Sequence, residues 1–327
     1  MSKQIFEERS TVQRLKSEGA QELLSSLRGG VEYIQYRKDW DYYAQNRTQS
    51  EAPLQIILVT TTHCNLSCKM CSRNQLNSYA EEHMSMNIVN AIAEQAKELN
   101  VKSIWLTGGE TLIHPEVSAM MRKLSEVGAL DYWLVTNGIE LTHDISEMLI
   151  DIPLTWISVS LDAATEETYK EIRGSDLSMV EKNIHTFLKL REKKKSELPL
   201  LRVSFVEMKE NLHEKQTFID KWEDVADIID FQTLIKYKED EVDGILDKKK
   251  KHPCGNAFRL LTVRPDGEIL PCAYSRKDRT GRRSYVLSTT LKEYWNGAGY
   301  KEFLKQIQIE NYSDDCKRCL KSFQSYS

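Results

Sequence analysis

Three cysteines, Cys64, Cys68 and Cys71, stand in a Cys-x3-Cys-x2-Cys pattern directly after the apolar run Leu54 to Val59. The run reads as a short buried strand ending in a loop, and the spacing lets three thiolates converge on one face of a metal centre. Three thiolates leave a four-coordinate iron or a cubane cluster one ligand short, and an open position separates a catalytic metal site from a closed structural one. The missing ligand is then a small molecule. A zinc knuckle that borrows His63 as its fourth ligand is the competing reading, although adjacent residues rarely both point into one tetrahedral site.

The other four cysteines, Cys254, Cys272, Cys316 and Cys319, form a second set. Between the first two, Arg264-Pro265-Asp266-Gly267-Glu268 is a hairpin turn signal, so the pattern is Cys-x12-Gly-x4-Cys followed by Cys-x2-Cys. The hairpin returns Cys272 towards Cys254, and a docked C-terminal helix brings the last pair alongside. Four thiolates complete a cubane cluster, and a structural zinc site uses the same four ligands.

These residues have to be positioned by the rest of the chain. From Leu54 onward strands and helices alternate: strands near Leu54–Val59, Ser103–Leu106, Tyr132–Val135, Trp156–Leu161, Arg202–Val206 and Ile228–Ile235, with amphipathic helices between them. Ser85 is an N-cap candidate, further helices read from near Thr142 and from Thr165, Pro115 suits a first helical turn, and Ser178-Met-Val-Glu181 has capping-box spacing. Leu212 to Val225 reads as one helix. Six such units in series predict parallel strands with right-handed crossovers, an α/β fold in the form of a partial (β/α)6 TIM-type barrel. Residues 1–50 read as a helical N-terminal extension, with apolar positions such as Val12, Leu15, Leu23, Leu24 and Leu27 before Gly29-Gly30, then a helix face of Tyr33, Tyr36, Trp40 and Tyr43. Core packing is the default for those aromatics, and contact with a substrate or partner is the alternative. Composition turns charged around residues 238–247, so the expected domains are 1–50, a core at 51–240 and a small cysteine domain at 241–327.

Composition excludes several function classes. The 327 residues suit about two domains, and 40% hydrophobic with 29% charged residues is ordinary for a soluble protein. Forty-five basic against 49 acidic residues give a net charge of −4, so no bulk attraction to nucleic acid is expected. The N-terminus is too polar for a signal peptide and no run reaches membrane length, so the expectation is a cytoplasmic protein without a membrane partner. In that compartment clustered cysteines more often mean metal than disulfide.

At the carboxyl ends of successive strands lie the cysteine loop, Thr107-Gly108-Gly109-Glu110, Thr136-Asn137-Gly138 and Ser158-Val159-Ser160-Leu161-Asp162. In parallel α/β folds the loops at that end converge on one mouth. In this order the four stretches resemble the radical S-adenosylmethionine (radical SAM) superfamily over about residues 54–236. The resemblance implies a [4Fe-4S] cluster on Cys64, Cys68 and Cys71, with the amino and carboxylate groups of S-adenosylmethionine on the open iron. It implies cofactor contacts at Gly108, Gly109, Glu110, Asn137 and Ser160. Met70 stands where relatives most often carry an aromatic residue against the adenine, and a thioether still packs on such a face.

The second cysteine set is similar to the twitch domain, the shortened relative of the SPASM domain, which implies one auxiliary [4Fe-4S] cluster on Cys254, Cys272, Cys316 and Cys319. The implied chemistry is reductive cleavage of S-adenosylmethionine to a 5′-deoxyadenosyl radical, fed by a low-potential donor such as flavodoxin or ferredoxin. That radical abstracts a hydrogen atom from a sugar, another small molecule or a peptide. With all seven cysteines committed as ligands, no spare thiol returns a hydrogen atom, so the expectation is an oxidation rather than an epimerisation. Glu207 and Lys236, at the ends of the fifth and sixth strands, are candidate bases for the accompanying proton, with rim charges as the alternative.

Overall fold

The computed structural model describes residues 10–13, 20–73, 82–234, 254–275 and 283–324. Its centre is a run of six parallel strands in chain order: β2 (Gln55–Thr61), β3 (Ser103–Gly108), β4 (Asp131–Thr136), β5 (Trp156–Ser160), β6 (Leu200–Glu207) and β7 (Ile228–Thr233). The helices that link them are α3 (Met86–Glu98), α4 (Val117–Ser125), α5 (His143–Asp151), α6 (Glu166–Arg173), α7 (Leu177–Lys193) and α8 (Lys215–Trp222). The result is the α/β architecture with a partly closed parallel sheet that the alternation of strands and helices predicts. Period-two burial divides each strand between two faces. Ile56, Leu58, Ile104, Leu134, Val203 and Phe231 lie in the main apolar core with helix residues such as Ile92, Met120, Phe187 and Trp222. The intervening residues, among them Trp105, Trp133, Ser158 and Arg202, face the other way, into the barrel interior.

Local signals set the helix starts. The hydroxyls of Ser85, Thr142 and Thr165 each accept from the backbone N–H three residues on, as good N-caps do. The start of α7 differs from expectation. Ser178 lies inside the helix, and the first amides, Leu177 N–H and Ser178 N–H, donate to the Glu166 carboxylate at 3.1 Å each. A side chain from the preceding helix therefore does the work that the local capping box suggested. The expected helix at Leu212–Val225 is a 3₁₀ turn, Leu212–Glu214, running into the shorter α8.

The N-terminal segment also departs from the all-helical expectation. β1 (Ser10–Gln13) pairs antiparallel with β7, Ser10 opposite Gln232, because the open edge of β7 offers a ladder that outweighs the helical spacing of Val12 and Leu15. α1 (Ala20–Leu27) and α2 (Val31–Asn46) follow. Leu24, Tyr33 and Tyr36 form a second apolar cluster with Trp156 and Leu200, flanked by Leu54, Leu130, Leu198 and Ile228. Every barrel residue in that cluster except Trp133 lies at or just before the start of a strand, so the two helices close the barrel floor. Arg28 donates to the carbonyls of Leu130 and Ala129 at 3.1 and 2.8 Å, and the Tyr33 hydroxyl donates to Asp131 at 3.4 Å. Of the aromatic face, Tyr33, Tyr36 and Trp40 are core packing, while Tyr43 lies half-buried against Tyr42. Tyr36→Ala, which empties a site only 2% exposed, is expected to cost about 3–5 kcal/mol, read as a lower urea midpoint.

The last part of the chain is joined to the same sheet. β8 (Leu260–Val263) pairs in parallel with β2, Gln55 opposite Leu260, and β9 (Ile269–Leu270) returns antiparallel to it. The turn uses Gly267 at φ 85°, where a residue without Cβ meets no strain. α9 (Leu291–Asn296) carries the capping box Thr290/Glu293, and α10 (Ala298–Gln308) and α11 (Asp314–Gln324) follow. α2 and the segment after it tie this part to the floor. The Arg259 guanidinium sits 4.0 Å over the Trp40 ring and donates to the Trp40 carbonyl, and Trp295 Nε1 donates to the Ser50 carbonyl at 2.8 Å. The expected domain boundary near residue 240 lies outside the described residues. Among the described residues no helix is long and apolar enough to cross a membrane.

Candidate functional site

β2 ends at Thr61, and the loop that follows carries Cys64, Cys68 and Cys71. Its shape is imposed by three other strand ends. First, the Gly108-Gly109 turn after β3 lies directly on it: Gly109 N–H donates to the Thr61 carbonyl and Glu110 N–H to the His63 carbonyl, both at 2.7 Å. A Cβ on Gly109 would stand 1.9 Å from the His63 oxygen, and one on Gly108, at φ 136°, 2.4 Å from the Thr61 oxygen. The paired glycines are thus required by the close approach of two segments of this chain.

Second, Glu110 clamps β3 to β4. It is 1% exposed; its Oε1 accepts from Leu112 N–H at 3.0 Å and Thr136 Oγ1 at 2.8 Å, and its Oε2 from Asn137 N–H at 2.7 Å. Burial pushes its pKa up, opposed by those three donors. Asn137 extends the clamp: its Nδ2 donates to Asn65 Oδ1 at 2.7 Å and lies 4.0 Å from Cys64 Sγ. Three donors already converge on the Glu110 carboxylate. Glu110→Gln turns an amide donor onto one of them, and the expected cost is about 1–3 kcal/mol, measured as a lower urea midpoint with a loss of iron uptake.

Third, the far half of the loop is fastened beside β5. Lys69 N–H donates to the Ile172 carbonyl at 3.0 Å and Lys69 Nζ pairs with Glu171 at 2.7 Å. Arg173, in the last turn of α6, points NH1 at Cys68 Sγ, 3.6 Å away, and pairs through NH2 with Asp162. Cys68 is 7% exposed. Burial raises its thiol pKa, with Arg173 opposing and Asp162 and Cys71 adding to the rise. Burial also raises Cys64, with the Leu66 N–H opposing and Glu110, Cys68 and Cys71 adding. The three sulfurs therefore feel one another. Sequence reasoning missed Arg173 and the ion-pair role of Asp162. The signal was a buried arginine just before the helix-ending Gly174, visible only once α6 is placed.

The His63 ring does not stand alone beside these thiols: it stacks on His83 at 4.3 Å, and His83 meets His114 edge-on at 5.1 Å. Among the described residues no three His, Cys, Asp or Glu side chains gather closely enough for a single ion. Met70 lies half-buried on the cysteine loop, and Ser160 is the partly exposed last residue of β5. Of the two candidate bases, Glu207 is held by Lys215 Nζ at 2.5 Å, and that same ammonium lies 4.6 Å over the Phe231 ring, on the helix-covered side of the sheet. Lys236 lies outside the described residues.

Two cysteines of the second set, Cys254 and Cys272, lie at the other end of the strands. Cys254 precedes β8 and Cys272 follows the descending β9. The Tyr300 pKa is raised by burial and further by Tyr294, Cys272 and Cys254. That of Tyr312 is raised by burial, with Cys254 and Cys316 adding to the rise. Cys319 is one turn along α11 from Cys316. The seven residues of β2 separate the two sets by on the order of 20 Å.

Comparison with known proteins places these features. A model of the radical SAM superfamily matches residues 58–214, and one of the SPASM iron-sulfur cluster-binding domain matches residues 254–320. A curated relative, the probable GTP 3′,8-cyclase of Metallosphaera sedula, is 30% identical over 175 residues, 53% of each chain. The chain spans about half the length of such relatives. Among solved structures, Streptococcus suis SuiB bound to S-adenosylmethionine aligns with a TM-score of 0.59 at 14% identity, covering 84% of this chain and 73% of that one. BtrN in complex with AdoMet and 2-DOIA aligns at 0.53 and 14%, covering 83% and 94%. At such identities the likeness is one of fold.

Proposed function

Because this chain belongs to the radical SAM superfamily, in its SPASM/twitch subgroup, and uses S-adenosylmethionine, a [4Fe-4S] cluster and an auxiliary cluster, we propose that it oxidises a sugar or other small polar ring compound. Cys64, Cys68 and Cys71 hold the first cluster in this reading, and Cys254, Cys272, Cys316 and Cys319 the auxiliary one. The donor set fits in kind: Cys64, Cys68 and Cys71 are three thiols on one loop held by the ends of β3, β4 and α6, and Cys254, Cys272, Cys316 and Cys319 supply four more. When bound, the cofactor and first cluster supply a 5′-deoxyadenosyl radical that takes one hydrogen atom from a substrate carbon. An auxiliary cluster held by Cys254, Cys272, Cys316 and Cys319 would supply an acceptor for the electron that remains when the substrate gives a proton to a base, for a net loss of two hydrogens per cofactor consumed.

The observation that supports this reading is that Cys254 and Cys272 lie at the opposite end of the parallel strands from the loop of Cys64, Cys68 and Cys71, with the barrel interior between them. That interior favours a ring compound. Trp105 and Trp133 stand in adjacent register on β3 and β4, ring centroids 6.0 Å apart and tilted by 40°, next to Trp156 of the floor. Among the described residues Gln55 Oε1, Trp105 Nε1, Asp230 Oδ1 and Thr262 Oγ1 are buried without partners, and such groups demand water or a polar ligand. Indoles beside unmet hydrogen-bonding groups suit a hydroxyl-bearing ring. α1 and α2 are spent on the barrel floor, which leaves them less suited to holding a peptide. The residues contributed by the chain are Asn137 beside Cys64, Arg173 beside Cys68, and the Gly108-Gly109 backbone at the open face of the loop.

The test is anaerobic reconstitution, a flavodoxin or dithionite donor, and a panel of sugars, cyclitols, leader-bearing peptides and GTP, the last because the curated relatives carry that name. The expected product is two hydrogens lighter than its substrate, with one 5′-deoxyadenosine per turnover. A product of unchanged mass, from GTP or any other member, overturns the oxidative reading.

A further inference from the structure

We propose that Arg173, positioned by Asp162, sets the reduction potential of the cluster on Cys64, Cys68 and Cys71; the inference rests on the ligand assignment above. Arg173 is 8% exposed, its NH1 lies 3.6 Å from Cys68 Sγ, and its Nε is buried without a partner among the described residues. The guanidinium has little freedom. Its NH2 is paired with Asp162 Oδ2, and Asp162 is 0% exposed, in the left-handed region at φ 63°. Asp162 Oδ1 in turn accepts from Val206 N–H at 2.7 Å, and the Asp162 carbonyl accepts from Asn211 Nδ2 at 2.9 Å. A carboxylate anchored on β6 thus aims a guanidinium at a sulfur anchored after β2.

The chemistry follows from charge. One-electron reduction adds negative charge to the cluster, spread over its sulfurs and thiolates. A hydrogen bond and a cation at one thiolate stabilise the reduced form more than the oxidised one and raise the potential. Asp162 lies beyond the guanidinium from Cys68, so the pair presents its positive end to the sulfur. A planar, permanently charged donor suits this place better than a lysine, because it binds the carboxylate and the thiolate at once through different nitrogens. Lys69 N–H on the Ile172 carbonyl holds the two partners in one frame.

The experiment uses the reconstituted full chain and a redox titration followed by electron paramagnetic resonance, on the signal that changes when S-adenosylmethionine is added. That signal belongs to the cluster with an open iron. Arg173→Gln is expected to keep its iron and to shift the midpoint downward, with an about tenfold lower ratio of reduced to oxidised cluster at the wild-type midpoint, or about 59 mV for a one-electron couple. Arg173→Lys, which keeps the charge and loses the fork, is expected to shift in the same direction by less. It decides the matter if the glutamine variant does not fold. An unchanged midpoint at full iron content overturns the proposal. So does a weakened affinity for S-adenosylmethionine at an unchanged midpoint, which assigns Arg173 to the cofactor instead. The underlying assignment is tested separately: a Cys64→Ala chain that retains the responsive signal removes it, whatever Arg173 does.

Discussion

Gly109→Ala is expected to lower 5′-deoxyadenosine formation at least about 100-fold, the scale of loss that a displacement of about 1 Å produces at a reacting centre. The added methyl carbon would meet the His63 carbonyl oxygen at 1.9 Å. That neighbour is backbone, so no rotamer change relieves the clash. His63 is bonded to Cys64, and its carbonyl is the acceptor for Glu110 N–H at 2.7 Å, so displacing it moves a proposed cluster ligand and breaks the anchor of the adjoining loop together. Iron content after reconstitution, measured beside 5′-deoxyadenosine, checks the cause. Wild-type iron with wild-type cleavage would mean that the loops have slack the geometry does not show. Gly108→Ala is expected to follow the same pattern, with a 2.4 Å approach to the Thr61 oxygen at a φ that disfavours side chains.

Cys254→Ala is expected to separate two activities that the wild-type chain couples. 5′-Deoxyadenosine formation continues, because the first cysteine set is some 20 Å away on the strand-length estimate and keeps all its contacts. Oxidised product falls to the level of a Cys64→Ala control, because the substrate radical has lost its electron acceptor. The dead-end radical then returns a hydrogen atom or decays, so the ratio of 5′-deoxyadenosine to product rises. Equal losses of both activities would make the second set a structural clamp. Since Cys254 is followed by Gly255, whose Cβ would lie 2.5 Å from the Ala44 side chain, Cys254→Ser and a urea midpoint serve to detect simple unfolding.

Much of this architecture is written in local patterns. The six strands announce themselves because parallel strands covered on both sides are short apolar runs bounded by turn residues, and the helix starts at Ser85, Thr142 and Thr165 because an N-cap is a contact over three residues. The cysteine loop is legible for the same reason. What escaped was made by pairs distant in the chain. Val12 and Leu15 have helical spacing, yet Ser10–Gln13 is drawn into a ladder with β7, more than 200 residues later. Ser178 looked like a cap, but Glu166 reached the amides first. The Gly108-Gly109 pair was visible, while its steric cause, the His63 and Thr61 carbonyls, was not. Arg173 carried no signal beyond its type, since only the meeting of α6 with the loop after β2 gives it a sulfur to face.

The dependence of the cysteine loop on remote strand ends also fixes an order of events during synthesis. Asn137 and Asn65, which touch, are 72 residues apart, and Ile172 holds Lys69 from farther still. At roughly 5–20 residues per second, on the order of ten seconds separates the emergence of the three thiols from that of their last support. Through that interval the loop has the ligands but not the shape. Iron delivery therefore belongs to a finished barrel, and a ribosome-bound chain arrested before Ile172 would present its thiols to oxidation instead of to a cluster.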